Sequence, residues 1–332
     1  MHPIQTKADS DSIVASSRID FESEIAALKK KLNAVVLAHY YQDDEIQDLA
    51  DYVGDSLELA RRAAEITADV IVFCGVRFMA EGAKILNPDK LVLIPDMKAG
   101  CSLEDSCPPA AFKAFKEAHP DHLVVTYINC SAEVKALSDI IVTSSNAEAI
   151  INQLPTDQKI IFAPDKYLGG WLNKKTGRNM LLWNGTCMVH ERFSEQELVK
   201  LKTRHPGAEI IAHPECPEAL LRYATHIGST SSLIRYAEAN PGREFIVLTE
   251  PGIFHAMKKR SPGSVFHPVP FMEGGACVSC NNCPYMKLNT LEKIYHCMRD
   301  QSPRLELSQD LIMRARRPLD RMLEMSKAIA RH

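Results

Sequence analysis

Three stretches of this chain read as copies of one unit. The apolar runs Val35-Val-Leu-Ala-His-Tyr-Tyr-Gln42, Leu123-Val-Val-Thr-Tyr-Ile-Asn-Cys130 and Glu209-Ile-Ile-Ala-His-Pro-Glu-Cys216 each end in a polar loop that enters a helical pattern. About 17 residues beyond each strand end stands a hydroxyl-bearing turn, pairing His39 with Ser56, Tyr127 with Ser144, and His213 with Ser229–Thr230. A further apolar run follows at 70–74, 159–163 and 244–248, and each unit closes on cysteine: Cys101, Cys187 and the cluster at 277–283. Four features in one order, three times over, indicate a repeated supersecondary unit.

Short apolar runs alternate with longer helical patterns. Strands are expected at Ala34–Ala38, Val70–Phe73, Leu91–Ile94, Leu123–Tyr127, Ile140–Thr143, Lys159–Ala163, Met180–Trp183, Glu209–Ala212, Glu244–Leu248 and Val265–Val269. Strands apolar on both sides and joined by helices predict parallel sheets under helical cover, an α/β fold. Ligands of open α/β sheets bind beyond the carboxyl ends of the strands. His39, Tyr127, His213, Ser144 and the cysteines all follow such ends, so three small sheets facing one axis would gather them around one cavity.

The 332 residues carry a net charge of −3 with no dense basic block, which argues against a nucleic-acid binder. No apolar run is long enough for a membrane span, and the polar first 19 residues, a loose tail, lack a signal-peptide core, so a cytoplasmic location is expected. Ten cysteines without an export signal point to metal or redox chemistry rather than disulfides. Cys74 and Cys297 sit in apolar patterns and read as packing. Three segments could bring sulfur to a metal: Ala99-Gly-Cys-Ser-Leu-Glu-Asp-Ser-Cys-Pro108, Trp183-Asn-Gly-Thr-Cys-Met-Val-His190, and the Cx2Cx2CP run Cys277-Val-Ser-Cys-Asn-Asn-Cys-Pro-Tyr-Met286. Zinc also takes closely spaced cysteines, so the last segment alone leaves zinc open. One cysteine per repeat would instead give three ligands to one [4Fe–4S] cluster, leaving an open iron for Lewis-acid chemistry.

The residues resemble the quinolinate synthase family. The matching segments include Ala38-His-Tyr-Tyr-Gln42, Gly54-Asp-Ser56, Val72-Phe-Cys-Gly-Val-Arg-Phe-Met79, Thr143-Ser-Ser-Asn-Ala147, Pro164-Asp-Lys-Tyr-Leu-Gly169, His213-Pro-Glu-Cys216, Gly228-Ser-Thr230 and Cys283-Pro-Tyr-Met286, with the two cysteine segments above. They run in family order from about residue 20 to residue 300. The resemblance implies three similar three-layer α/β/α domains with short parallel sheets around a pseudo-threefold axis. It also implies condensation of iminoaspartate with dihydroxyacetone phosphate in NAD biosynthesis, and L-aspartate oxidase as supplier of the imine. The units would span 20–102, 103–188 and 189–284, with helices of 285–332 packing on the first.

The implied cluster ligands are Cys101, Cys187 and Cys283, the last chosen by the Pro-Tyr-Met that follows it. Cys277 and Cys280 would be accessory thiols able to form a disulfide. The resemblance makes Glu215 a general base and Tyr41 its proton-handling partner, with His39 and His213 as neutral or charged donors. His190, three residues past a ligand, would lie near the open iron. Tyr127, Asn129, Ser56, Ser144, Ser229 and Thr230 would hold carboxylates and phosphate. The hydroxyls also suit helix N-caps, and helix N-termini themselves bind anions. Arg77 and Lys166 are the available cations. A different iron–sulfur hydro-lyase, or a non-enzymatic iron–sulfur or zinc redox-responsive binding protein, are the rival readings; the latter leaves the repeat unexplained.

Overall fold

The computed structural model describes residues 19–273, 276–278 and 281–329. The first 18 residues and Cys280 lie outside it, as does the side chain of Cys277. Among the described residues fourteen strands form: β1 Ala34–His39, β2 Tyr52–Gly54, β3 Val70–Cys74, β4 Leu91–Leu93, β5 Leu123–Tyr127, β6 Ile140–Val142, β7 Ile160–Ala163, β8 Leu181–Leu182, β9 Glu209–Ala212, β10 His226–Ile227, β11 Glu244–Leu248, β12 Val265–Pro268, β13 Phe271–Glu273 and β14 Ala276–Val278. The first twelve make three parallel four-stranded sheets of identical order: β2-β1-β3-β4, β6-β5-β7-β8 and β10-β9-β11-β12. The protein is thus α/β with three like sheets.

The order explains the repeat. In each unit the chain leaves the inner strand for one edge, then crosses back to lay the third strand on its other side. The connections from the two central strands therefore diverge, and a crevice opens between their carboxyl ends, where such sheets bind ligands. The central strands are made of β-branched and aromatic residues buried on both faces: every residue of β3 and of β7 is buried. No helix among the described residues is long and apolar enough to cross a membrane.

The polar loops are pinned by caps. Asp55 caps the helix Ser56–Glu65 in a reciprocal capping box with Glu58, and Ser229 caps Thr230–Ala239 through the Ser232 amide. Cys101 and Cys187 are themselves the cap residues of the short helices Ser102–Asp105 and Met188–Glu191, while Cys283 precedes a 3-10 turn at Met286–Leu288. Between β8 and Cys187 the chain passes so close to Pro164 that a Cβ on Gly185 would lie 2.5 Å from its carbonyl oxygen. Only glycine fits there, which accounts for the Asn-Gly-Thr-Cys spelling of that loop.

Three features depart from expectation. The edge strands β2 and β10 have no counterpart in the sequence reading, because two or three half-exposed residues show no period. The third unit adds an antiparallel hairpin, β13–β14, whose backbone carries Cys277. The two C-terminal helices also divide between sheets. Leu291–Asp300 packs on the first, against Phe21–Leu32 and β3, but Gln309–Ile329 lies mainly against Ala132–Leu137 and β6 of the second while also touching Arg77–Leu86. The amphipathic end of the chain thus joins two units rather than resting on the first alone.

Candidate active site

Each unit sends two alternate residues from the end of its inner strand into one central cavity: His39 and Tyr41, Tyr127 and Asn129, His213 and Glu215. Each also contributes a hydroxyl, Ser56, Ser144 or Thr230, and a thiol, Cys101, Cys187 or Cys283. The hydroxyls all stand 17 residues after the first residue of their pair. That equality selects Thr230. Ser229 does not line the cavity; its Oγ accepts from the Ser232 amide at 3.2 Å and lies 2.8 Å from Ser145 Oγ. Ser145 in turn donates to Asp55 at 2.6 Å, so Asp55, Ser145 and Ser229 form a seam of one side chain from each unit.

The histidines at the strand ends are fixed by their own loops. The Tyr41 amide donates to His39 Nδ1 at 3.1 Å, and the Glu215 amide to His213 Nδ1 at 3.4 Å. An Nδ1 that accepts leaves Nε2 as the N–H of the neutral ring. For His213 that group reaches Ser144 Oγ at 3.3 Å. Burial lowers both imidazoles, His39 to about 4 and His213 to about 3, so both are neutral at pH 7.

Glu215 is the most connected group. The Tyr127 hydroxyl donates to its Oε1 at 2.6 Å, and His190 Nδ1 stands 2.9 Å from its Oε2. Burial alone would raise this carboxyl, but His190, His213 and Tyr127 outweigh it and hold it below the ordinary range. His190 Nε2 meets Thr249 Oγ1 at 2.9 Å, and Thr249 Oγ1 meets the Tyr41 hydroxyl at 2.6 Å. Donor counting gives the chain one direction. Ionised Glu215 accepts from His190 Nδ1–H; with that ring neutral, Nε2 accepts from Thr249, and Thr249 accepts from Tyr41. Burial keeps the Tyr41 and Tyr127 phenols protonated, well above their ordinary pKa.

Several of these groups escaped the sequence reading. Asp165, Thr249 and Glu250 follow the ends of the third strands β7 and β11, the opposite lip of the same crevice, and Asp55 precedes the hydroxyl turn. The strand-end rule could have found the first three. Asp165 is fully buried with Oδ2 unpartnered, and burial together with Glu215 pushes its carboxyl well above the usual value. Glu250, also buried, is pushed up to about 7; it accepts from the Gly252 and Cys283 amides and has Lys287 at 3.6 Å. Arg77 pairs with Glu104 at 2.8 Å and Lys166 faces Glu191 at 3.9 Å. Neither lines the cavity, and among the described residues no arginine or lysine does.

The three cavity thiols are electrostatic neighbours, and each receives backbone N–H groups from the turn that follows it: Leu103 and Glu104 for Cys101, His190 for Cys187, Tyr285 and Met286 for Cys283. Burial pushes all three thiols up, Cys283 to about 11, so a metal must displace their protons. A single zinc would draw thiolate sulfurs to about 3.8 Å apart. Among the described residues the three thiols do not converge within 4.8 Å of one another, whereas Cys187, His190 and Glu215 do. The donor set fits a polynuclear group better than one ion. Cys107, Cys130 and Cys216 are buried in apolar clusters, and Cys74 and Cys297 share another.

Fold and cavity together define an α/β protein in which residues from the strand ends of three like sheets line one buried cavity. A family model described as Quinolinate synthetase A protein matches residues 23–324. Curated quinolinate synthases are similar over almost the whole chain. That of Prochlorococcus marinus (strain MIT 9303) is 59% identical over 316 residues, 95% of this chain and 94% of its own length. Those of Nostoc sp. (strain PCC 7120) and Chloroherpeton thalassium are each 59% identical, over 308 and 311 residues, covering 93% and 94% of this chain and 94% and 96% of theirs. The chain belongs to the quinolinate synthase family.

Proposed function

We propose that this chain condenses iminoaspartate with dihydroxyacetone phosphate to give quinolinate, phosphate and two waters in NAD biosynthesis. It would act in the cytoplasm, with Cys101, Cys187 and Cys283 holding a [4Fe–4S] cluster. The observation that carries the reading is the convergence of three thiols and three strand-end pairs on one buried cavity. Three thiolates leave one iron without a protein ligand, and the bound group would supply a Lewis acid where water departs.

The chain's own residues do the rest. Both substrates are anionic, and the cavity holds them with oriented neutral donors. His39 and His213 line the cavity with Nε2–H as their donor group, that of His213 resting on Ser144 Oγ, and Ser56 and Thr230 stand in the first turns of helices whose amides favour negative charge. Ser144 accepts from His213 and keeps its own proton to donate. The orphaned Oδ1 of Asn129 can accept from the imine or a hydroxyl.

Glu215, ionised and held by Tyr127 and His190, takes a proton from carbon or oxygen. Tyr41 donates one, and the Thr249–His190 link joins the two in one circuit: once Glu215 is protonated and Tyr41 is not, His190 changes tautomer to donate from Nε2, and a relay through Thr249 then restores both groups and the resting direction. Protonated Asp165 beside ionised Glu215 is the separation of titrations that marks acid–base pairs. L-aspartate oxidase, which the resemblance implies as source of the unstable imine, would act in passing contact.

The test is an anaerobic assay for quinolinate from the two substrates, with iron and sulfide analysis of the same sample. Quinolinate formation with about four iron per chain supports the reading. Zinc in place of iron, or no quinolinate from cluster-loaded protein, overturns it.

A further inference from the structure

At the far end of the third sheet, away from the cavity, two histidines and a glutamate meet. His205 closes the helix Glu195–Arg204, Glu244 opens β11, and His267 lies on β12. Glu244 pairs with Val265 and Ile246 with His267, so Glu244 and His267 are diagonal neighbours on one face of the parallel pair. Ile246 on that face packs with Leu198 of the same helix, which brings His205 over the carboxylate.

We infer that His205, Glu244 and His267 form a separate binding site for a divalent transition metal, Zn2+ above all. His205 Nδ1 is 3.2 Å and His267 Nε2 3.7 Å from the same oxygen, Glu244 Oε2. Zinc bound tetrahedrally at about 2.0–2.1 Å spaces its ligand atoms about 3.3–3.4 Å apart. The two observed separations bracket that value, and all three ligand atoms lie within 4.8 Å of one another.

The second observation is His267 Nε2 itself, buried and without a hydrogen-bond partner. A metal would satisfy that nitrogen. The rings lie 3.9 Å apart, centroid to centroid. Arg243, beside Glu244 in sequence, is ion-paired with Glu209, so it does not occupy the carboxylate. Two imidazoles and a carboxylate select Zn2+, Co2+ or Ni2+ over Ca2+ and Mg2+. The exposed side of Glu244 leaves room for a water as fourth ligand.

Such an ion would clamp the helix Glu195–Arg204, β11 and the edge strand β12 together. The site stands whatever the central cavity does. Its test uses cluster-loaded protein under anaerobic conditions, titrated with Zn2+ against a chromogenic chelator while cluster absorbance is followed. One Zn2+ should bind with the cluster unchanged and raise the thermal midpoint. Binding should weaken at least tenfold in His205→Ala, in His267→Ala and in the milder Glu244→Gln, and persist in the control His296→Ala. Equal binding by the wild type and the His205→Ala/His267→Ala double variant, or no Zn2+ taken up by the wild type with its cluster intact, would overturn the assignment.

Discussion

Replacing Glu215 in two ways separates its chemistry from its structural bonds. In Glu215→Gln the amide oxygen still accepts from Tyr127, and the amide nitrogen becomes a donor toward His190 Nδ1. His190 answers by changing tautomer, so that Nε2 donates to Thr249 and Thr249 donates to Tyr41. The chain of bonds reverses direction without losing a member, and unfolding free energy should change by no more than about 1 kcal/mol. Turnover should nevertheless fall about 10²–10⁴-fold, because the amide cannot take a proton. Glu215→Ala instead strands the Tyr127 hydroxyl in a buried site and leaves His190 Nδ1 only the Cys187 sulfur at 3.3 Å. At roughly 1–3 kcal/mol for an unsatisfied donor, the cost is about 1–3 kcal/mol from Tyr127, with a smaller part from the weakened His190 bond. Anaerobic quinolinate assays, cluster content and denaturant unfolding of both variants decide the matter. If Glu215→Gln retains turnover within tenfold of wild type, Glu215 is not the base. If it is as unstable as Glu215→Ala, the reversible bond chain is wrong.

Other outcomes follow from the same geometry. Cys187→Ser should lose the cluster iron, while Cys216→Ser, altered in an apolar core, should keep it, as should Cys277→Ser and Cys280→Ser; iron and sulfide analysis reads each, and a loaded Cys187→Ser protein refutes the ligand scheme. Thr249→Val cuts the link between Tyr41 and His190, leaving Tyr41 only Thr230 at 3.2 Å. Turnover should fall about 10–100-fold, short of the loss of a direct acid or base, with clusters intact and with rescue by Thr249→Ser. Between pH 6.5 and about 4, unfolded chain binds a proton at His39 that folded chain refuses. Stability is therefore full above pH 6.5 and declines as pH falls, by up to about 3 kcal/mol from this group. Denaturant unfolding of His39→Gln should show a correspondingly flatter acid slope than wild type, and an unchanged slope would count against the buried neutral ring.

Much of the site was legible because the repeat is written in strand ends. Strands buried on both faces announce themselves, and once three of them end alike, the two residues beyond each end must face a common crevice. What stayed hidden depends on the other lip. Asp165 and Glu250 follow β7 and β11 in the same way, yet nothing in a single sequence says that the third strand lies beside the first rather than at an edge. Thr249 was invisible because its role is relational: one hydroxyl spanning two groups far away in sequence. Ser229 and Thr230 looked interchangeable until the helix fixed which hydroxyl capped and which faced inward. The end of the chain misled because an amphipathic stripe shows that a helix is covered without naming the partner.

The bonds at the cavity fall into two kinds. Those that set His39 and His213 run between residues two apart in one loop, whereas Tyr41 reaches Thr249 and Thr230, and Tyr127 reaches Glu215, only across the boundary between units. Were the three sheets to part and admit water, the imidazoles would keep their orientation, and the Nε2–H of His213 would leave Ser144 of the second unit and be free for an incoming anion. The acid–base circuit would come apart. Orientation of the imidazoles is thus a local property of two loops, whereas the acid–base circuit exists only where the three units are packed together.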